Sequence, residues 1–215
     1  MTTILPLLLL GGVWTETHPA LLPIEDDPDL PRVLLIGDSI SVGYTLPVRE
    51  LLRGMANVHW PLENCGPTIK GLQRLDEWLG EGEWDVIHFN WGLHDLRMDE
   101  DGVHQVPIDA YEENLEALIT RLQQTGAELI WCSTTPVPEP VDGPFRTNAD
   151  VIAYNKVAAA IMLEHGIQID DLYEFALPQL EEIQLPHNVH FSPEGSAVLA
   201  RQVAASIETA LTPPD

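Results

Sequence analysis

Four short stretches of this chain bring together residue types that can do chemistry: Gly37-Asp38-Ser39, Gly66, Gly92-Leu93-His94-Asp95 and His187-Asn188-Val189-His190. Ser39 offers a hydroxyl, a weak nucleophile until an adjacent base takes its proton. His190 offers an imidazole able to accept that proton and return it near neutral pH. The backbone N–H groups of Ser39 and Gly66 can meet a developing oxyanion, and a glycine at 66 allows close approach of the main chain. His94 can donate through a ring N–H much as a side-chain amide does. The set points to nucleophilic attack on a carbonyl. Other readings compete for the same residues. Asp38 or Ser39 could simply cap a helix, and Gly66-Pro67 could be a plain turn. Cys65 is an alternative thiol nucleophile, although no His motif favours it over Ser39. Asp38, His94, His187 and His190 could hold a metal, although no H-x-x-x-H spacing supports it. His88, inside an apolar run, reads as a core residue.

The elements that must position these groups follow from hydrophobic periodicity. Val33 to Ile36 is a continuous apolar run, as in a strand buried on both faces, and it runs straight into Gly37-Asp38-Ser39. Ser39 is thus expected on a turn, with a helix beginning later at Pro47 and carrying Val48, Leu51, Leu52 and Met55. Further strands are predicted at 58–60, 84–91, 127–134 and 167–172. Helices fall between them, with Thr68, an Asp109/Glu112 capping box, and Asn148 as expected N-caps. Ser192-Pro193-Glu194 starts a terminal helix. The alternation predicts a three-layer α/β/α sandwich with a five-stranded parallel sheet in flavodoxin-like order. One domain over 32–212 follows an N-terminal extension, 1–31. Ligands in such sheets bind beyond the carboxyl ends of the strands, the side where Ser39, Gly66, His94 and His190 all fall.

Composition narrows the partners. The 215 residues hold 34 acidic and 10 basic side chains, a net charge of −24. Such a surface repels nucleic acid and anionic lipid, so neither is expected. Cys65 and Cys132 are too few for a disulfide framework and read as free thiols. The apolar run Ile4 to Val13 is too short to span a bilayer. It has no Lys or Arg before it and no small-x-small site after it, which favours a packed or weakly ordered arm over a leader, and a cytoplasmic over a secreted chain.

Taken in order, the blocks resemble the SGNH (GDSL-type) hydrolase family over about residues 32 to 210. Gly37-Asp38-Ser39-Ile40 matches the first block, Gly66 the second, and His190-Phe191-Ser192-Pro193-Glu194-Gly195 the last. The resemblance implies a serine ester hydrolase without cofactor or metal, with Ser39 as nucleophile, His190 as base and Gly66 as oxyanion donor. It implies a small-molecule ester of a small acyl group, such as an O-acetyl carbohydrate or a short-chain ester. Two positions depart from it. His94 stands where the family has Asn, and His187 stands where it has the Asp that orients the base; Asn188 is no carboxylate either. The expected acceptor for His190 is therefore a main-chain carbonyl in the 185–188 turn, with Asp170 or Asp171 as distant alternatives. A non-catalytic glycan- or acyl-binding descendant, or a metal-assisted hydrolase using His94, His187 and His190, would also fit these departures. Trp91, Arg97, Phe145 and Arg146 lie on loops near the cleft and are candidates for holding substrate.

Overall fold

Strand β1 (Arg32–Ile36) has Val33 through Ile36 buried, as an apolar run between two helical layers requires. In the computed structural model, which describes residues 18–143 and 145–212, β1 lies between β2 (Asn57–His59) and β3 (Val86–Phe89). Beyond β3 come β4 (Glu128–Cys132) and β5 (Gln168–Asp170), giving the order β2-β1-β3-β4-β5 with every pair parallel. This is the predicted flavodoxin-like sheet. Helices α1 (Ser39–Leu51) and α7 (Pro193–Leu211) pack on each other, as do α2 (Thr68–Leu79) and α3 (Ile108–Gln123), and α3 packs on α4 (Asn148–His165). Two short helices, α5 (Leu172–Ala176) and α6 (Leu180–Ile183), carry the chain from β5 toward His190 and were not foreseen. The apolar run at 4–13 lies outside the described residues. Among those described, no helix is long and apolar enough to cross a membrane.

The helix starts correct several expectations. Helix α1 begins at Ser39 itself, capped by Asp38, whose Oδ1 accepts from the Ile40 N–H at 2.9 Å. Ser39 is therefore the first helical residue and not a loop residue, and Pro47 lies inside the helix rather than at its first turn. Thr68, Asp109 and Asn148 do not cap. Their helices start after Pro67, Pro107 and Thr147, and only Thr147 supplies a side-chain cap, to the Asp150 N–H. A proline there fixes an extended backbone just before the helix and so takes the place of a capping side chain. Ser192 caps α7 as expected, accepting from the Gly195 N–H at 2.9 Å.

The segment before β1 is more structured than a surface lead-in. Ala20 and Leu21 are buried in a short 3₁₀ turn, Pro19–Leu21, that packs on α1. The Asn57 side chain binds the Asp27 N–H and the carbonyls of Asp27 and Leu30, so the acidic stretch is pinned to the edge of the sheet.

Candidate active site

Ser39 stands where β1 ends and α1 begins, and Gly37 makes the turn possible. A Cβ on Gly37 would lie 2.6 Å from Ser41 Oγ, so any side chain there would displace the first turn of α1. Ser39 is 9% exposed. Its Oγ lies 2.8 Å from Nε2 of His190, a residue 151 positions later, just ahead of α7.

The far side of the His190 ring fixes its tautomer. Asn188 Oδ1 lies 3.0 Å from the His190 backbone N–H and 2.7 Å from His190 Nδ1. A main-chain N–H can only donate, so the Asn188 atom facing both groups is its carbonyl oxygen. Nδ1 must then carry the proton, which leaves the Nε2 lone pair aimed at the Ser39 hydroxyl. The orienting acceptor is thus neutral, as expected, but it is the Asn188 side chain and not a main-chain carbonyl. Asp170 and Asp171 are engaged elsewhere: Asp171 accepts from Ser133 Oγ, and Asp170 from His88, Gln202 and Ser206. His187 turns outward. It adopts φ 55°, its Nδ1 lies 3.1 Å from the Pro140 carbonyl, and its side chain is exposed.

Burial holds the His190 pKa below its usual value; the negative charge of Asp38 opposes this and the positive charge of Arg146 adds to it. The neutral ring, the form a base needs, therefore persists to lower pH than in a free imidazole. Burial likewise lowers His94, against Asp38 and together with Arg146, Arg97 and Lys70. The charges of Asp38 and Arg146 thus act on both rings.

Gly66 reaches the site through the loop after β2. The Cys65 N–H donates to the Gly37 carbonyl at 3.0 Å, which docks this loop against the end of β1. Gly66 has φ 60°, a conformation that favours glycine. Its N–H donates to Asn64 Oδ1 at 2.9 Å, so a neutral acceptor occupies it. Asp95 Oδ1 ties the Gly66 and His94 loops together, accepting from the Thr68 N–H at 2.8 Å and the Thr68 hydroxyl at 2.5 Å.

Two rival readings lose their geometry. The Cys65 thiol is buried, and burial pushes its pKa far above the thiol range, so it is no thiolate nucleophile. Among the described residues, the side chains whose ligand atoms converge closely enough for a metal are His88, Cys132 and Asp170, not His94, His187 and His190. His88 is the core residue expected, 1% exposed, with Nε2 3.0 Å from Asp170 Oδ2.

The GDSL-like lipase/acylhydrolase family pattern matches residues 35–198. The chain belongs to this family. It is accordingly a hydrolase of carboxylic esters. No curated protein matches this acylhydrolase in sequence. Solved structures share its fold. One is the lipase/acylhydrolase from Enterococcus faecalis, 21% identical, TM-score 0.72, covering 86% of this chain and 99% of its own. Another is the acetyl xylan esterase AlAXEase, 18% identical, TM-score 0.71, covering 82% of this chain and 99% of its own. A third is Axe2, an acetylxylan esterase from Geobacillus stearothermophilus, 19% identical, TM-score 0.69, covering 82% and 94%.

Asn188 is the functional candidate that sequence reasoning passed over. It was set aside for lacking a charge, whereas its position beside the base called for an acceptor of either kind. Arg146, one of the loop residues expected near the cleft, donates from Nε to the Leu93 carbonyl, one residue before His94.

Proposed function

We propose that this acylhydrolase cleaves esters of small acyl groups through a Ser39–His190–Asn188 relay. The observation that carries the reading is the unbroken line from Ser39 Oγ through the His190 ring to Asn188 Oδ1, at 2.8 and 2.7 Å. His190 Nε2 takes the hydroxyl proton as Oγ attacks the ester carbonyl, and then passes it to the departing alcohol. Water, deprotonated by the same nitrogen, releases the acid and restores Ser39. Asn188 keeps the proton on Nδ1 but gives the imidazolium no formal charge. Asp38 supplies a negative charge that acts on the ring.

The oxyanion is received by the N–H groups of Ser39 and Gly66 and by the ring N–H of His94. At Gly66 it competes with Asn64 Oδ1, and an ionised acceptor makes a bond roughly twice as strong as a neutral one. The structural likeness to acetylxylan esterases makes an O-acetyl carbohydrate the first substrate to try.

The test is hydrolysis of 4-nitrophenyl esters from acetate to octanoate, alongside labelling with a serine-directed phosphonate. Turnover should be greatest at acetate or butyrate, and label should appear on Ser39 and vanish in Ser39→Ala. Turnover that persists in Ser39→Ala contradicts the mechanism. Binding of acetylated oligosaccharide without turnover or label would instead indicate a non-catalytic descendant.

A further inference from the structure

A base carried on a turn works only if the turn holds it still. Helix α6 ends at Ile183, α7 begins at Pro193, and His190 falls between them. The feet of this turn are tied together. Gln184 and Phe191 pair as an isolated antiparallel bridge, and the Ser192 N–H donates to the Ile183 carbonyl at 2.9 Å. The Leu185 N–H donates to the carbonyl of His190 itself, also at 2.9 Å. Gly195 lets α7 start this close, since a Cβ there would lie 2.0 Å from the Ile183 carbonyl oxygen.

The peptide group on the other side of His190 is gripped by two side-chain amides. Its N–H donates to Asn188 Oδ1 at 3.0 Å, and its oxygen, the Val189 carbonyl, accepts from Gln184 Nε2 at 3.4 Å. Gln184 Nε2 also donates to the Pro136 carbonyl at 2.8 Å, 48 positions away. Carbonyls only accept, so the amide nitrogen of Gln184 faces both and gives one proton to each. Pro136 is a firm anchor. Two residues before it, Thr134 has its N–H bound by Asn155 Oδ1 at 2.9 Å and its carbonyl by Asn155 Nδ2 at 2.8 Å, which fastens this stretch to α4. A second link to the same loop, from the Asp142 N–H to the His187 carbonyl at 2.6 Å, joins two exposed residues, where water competes for both groups. Gln184, Pro136 and Val189 are all buried, so water does not compete there.

We propose that Gln184 is a positioning residue of the relay: it ties the Val189–His190 peptide to the part of the 133–147 loop that α4 holds, and so sets the reach of the His190 ring to Ser39. The inference rests on the relay reading above and adds a residue that acts through His190. The two amides divide the task. Asn188 decides which ring nitrogen carries the proton, and Gln184 decides where the other nitrogen stands. The 2.8 Å contact between Ser39 Oγ and His190 Nε2 depends on that placement, and a shift of about 1 Å in a reacting group costs on the order of 10²-fold in rate.

Hydrolysis of 4-nitrophenyl acetate by the full chain tests this. Gln184→Met keeps the length of the side chain and removes both donors. It should lower kcat by about 10- to 100-fold and change KM by less than about threefold, the pattern of an interaction that matters in the transition state alone. Gln184→Asn keeps an amide but is one methylene shorter and cannot span both carbonyls, so it should recover only part of that loss. Asn57→Leu is the structural control. It removes an amide of the same kind, one that binds three main-chain groups at the far end of the sheet, where Asn57 pairs with Arg32. It should lower the melting temperature and leave kcat unchanged. A kcat in Gln184→Met within about threefold of wild type, a loss carried by KM, or an equal loss of kcat in Asn57→Leu overturns the positioning role and leaves the relay intact. Should Gln184→Met fail to fold, Gln184→Asn decides: a kcat equal to wild type overturns the role, and a lower kcat at constant KM upholds it. Failure of the wild-type chain to hydrolyse 4-nitrophenyl acetate at all overturns the relay and the positioning role with it.

Discussion

Two of the histidines held by side-chain oxygens, His88 and His190, have opposite surroundings. His88 and Asp170 lie in the sheet at 1% exposure each, with Gln202 and Ser206 completing the carboxylate's hydrogen bonds. His190 and Asn188 lie at the strand ends, half-buried and in contact with Ser39. The pair with the carboxylate is far better buried and touches no nucleophile. The pair with the amide touches the nucleophile and lacks the charge. A His-Asp pair is therefore not a sign of chemistry by itself. Reach to the nucleophile decides, and a neutral oxygen suffices to set the tautomer.

The largest effects should separate the two pairs completely. His190→Ala should lower kcat by roughly 10⁴- to 10⁶-fold, as loss of the base does when base and nucleophile act as a unit. Its melting temperature should stay close to wild type, because the ring is at the site and not in the core. His88→Ala should do the reverse. It leaves Asp170 as an uncompensated buried carboxylate, at a cost of about 3–5 kcal/mol, seen as a lower urea midpoint with the kcat of the remaining folded protein little changed. Equal losses of activity in both variants would erase the distinction.

A smaller effect should come from Asn188. Asn188→Ala frees the ring to adopt the wrong tautomer and should cost about 10²-fold in kcat, given that fixing tautomer and orientation is the main duty of this partner. Asn188→Asp should raise kcat by no more than about tenfold, since the tautomer is already correct and only the charge is added, worth ~1.4 kcal/mol per factor of ten. The pH profile sharpens this. Burial depresses His190, so activity requires the neutral ring and is lost only as pH falls through a value below 6.5. The acid limb of kcat/KM should have its midpoint below 6.5 in wild type and should move upward in Asn188→Asp. A wild-type midpoint above 6.5 would contradict the burial described here.

Acid stability should report the other pair. Burial pushes the Asp170 carboxyl up, but the bonds from His88, Gln202 and Ser206 outweigh it and leave the pKa below the usual range. Its stabilisation is therefore full above about pH 4 and is lost as pH falls through the lower folded value. Melting temperatures between pH 3 and 7 should fall less steeply in Asp170→Asn than in wild type. The smallest effect belongs to His187, whose exposed side chain faces the Pro140 carbonyl. His187→Ala should change kcat less than tenfold.

Sheet order and the Ser39, His190 contact were legible because apolar runs and ordered motifs both survive in one dimension. Helix starts were less so. Thr68, Asp109 and Asn148 have the chemistry of caps, but Pro67, Pro107 and Thr147 fix the backbone one residue or two earlier. Helix α1 was hidden because Gly43 and Pro47 interrupt its pattern, although packing against α7 keeps it whole. Asn188 needed the turn at His187, with φ 55°, before its oxygen could be seen to reach Nδ1. Arg146 reaches Leu93 across 53 positions, a contact that no local pattern announces.

The bond between Asp95 and Thr68 has a mechanical consequence. Thr68 is two residues beyond Gly66, and Asp95 is next to His94, so one carboxylate oxygen acts as a strut joining two of the three proposed oxyanion donors. A tilt of α2 that carried Thr68 with it would therefore pull on the His94 loop as well. The second oxygen, Oδ2, is buried without a hydrogen-bond partner among the described residues, and burial raises the carboxyl to about 7 despite the Thr68 bonds. The strut thus changes its ionisation near neutral pH. Damage to it would show as strongly non-additive losses when Gly66 and His94 are altered together.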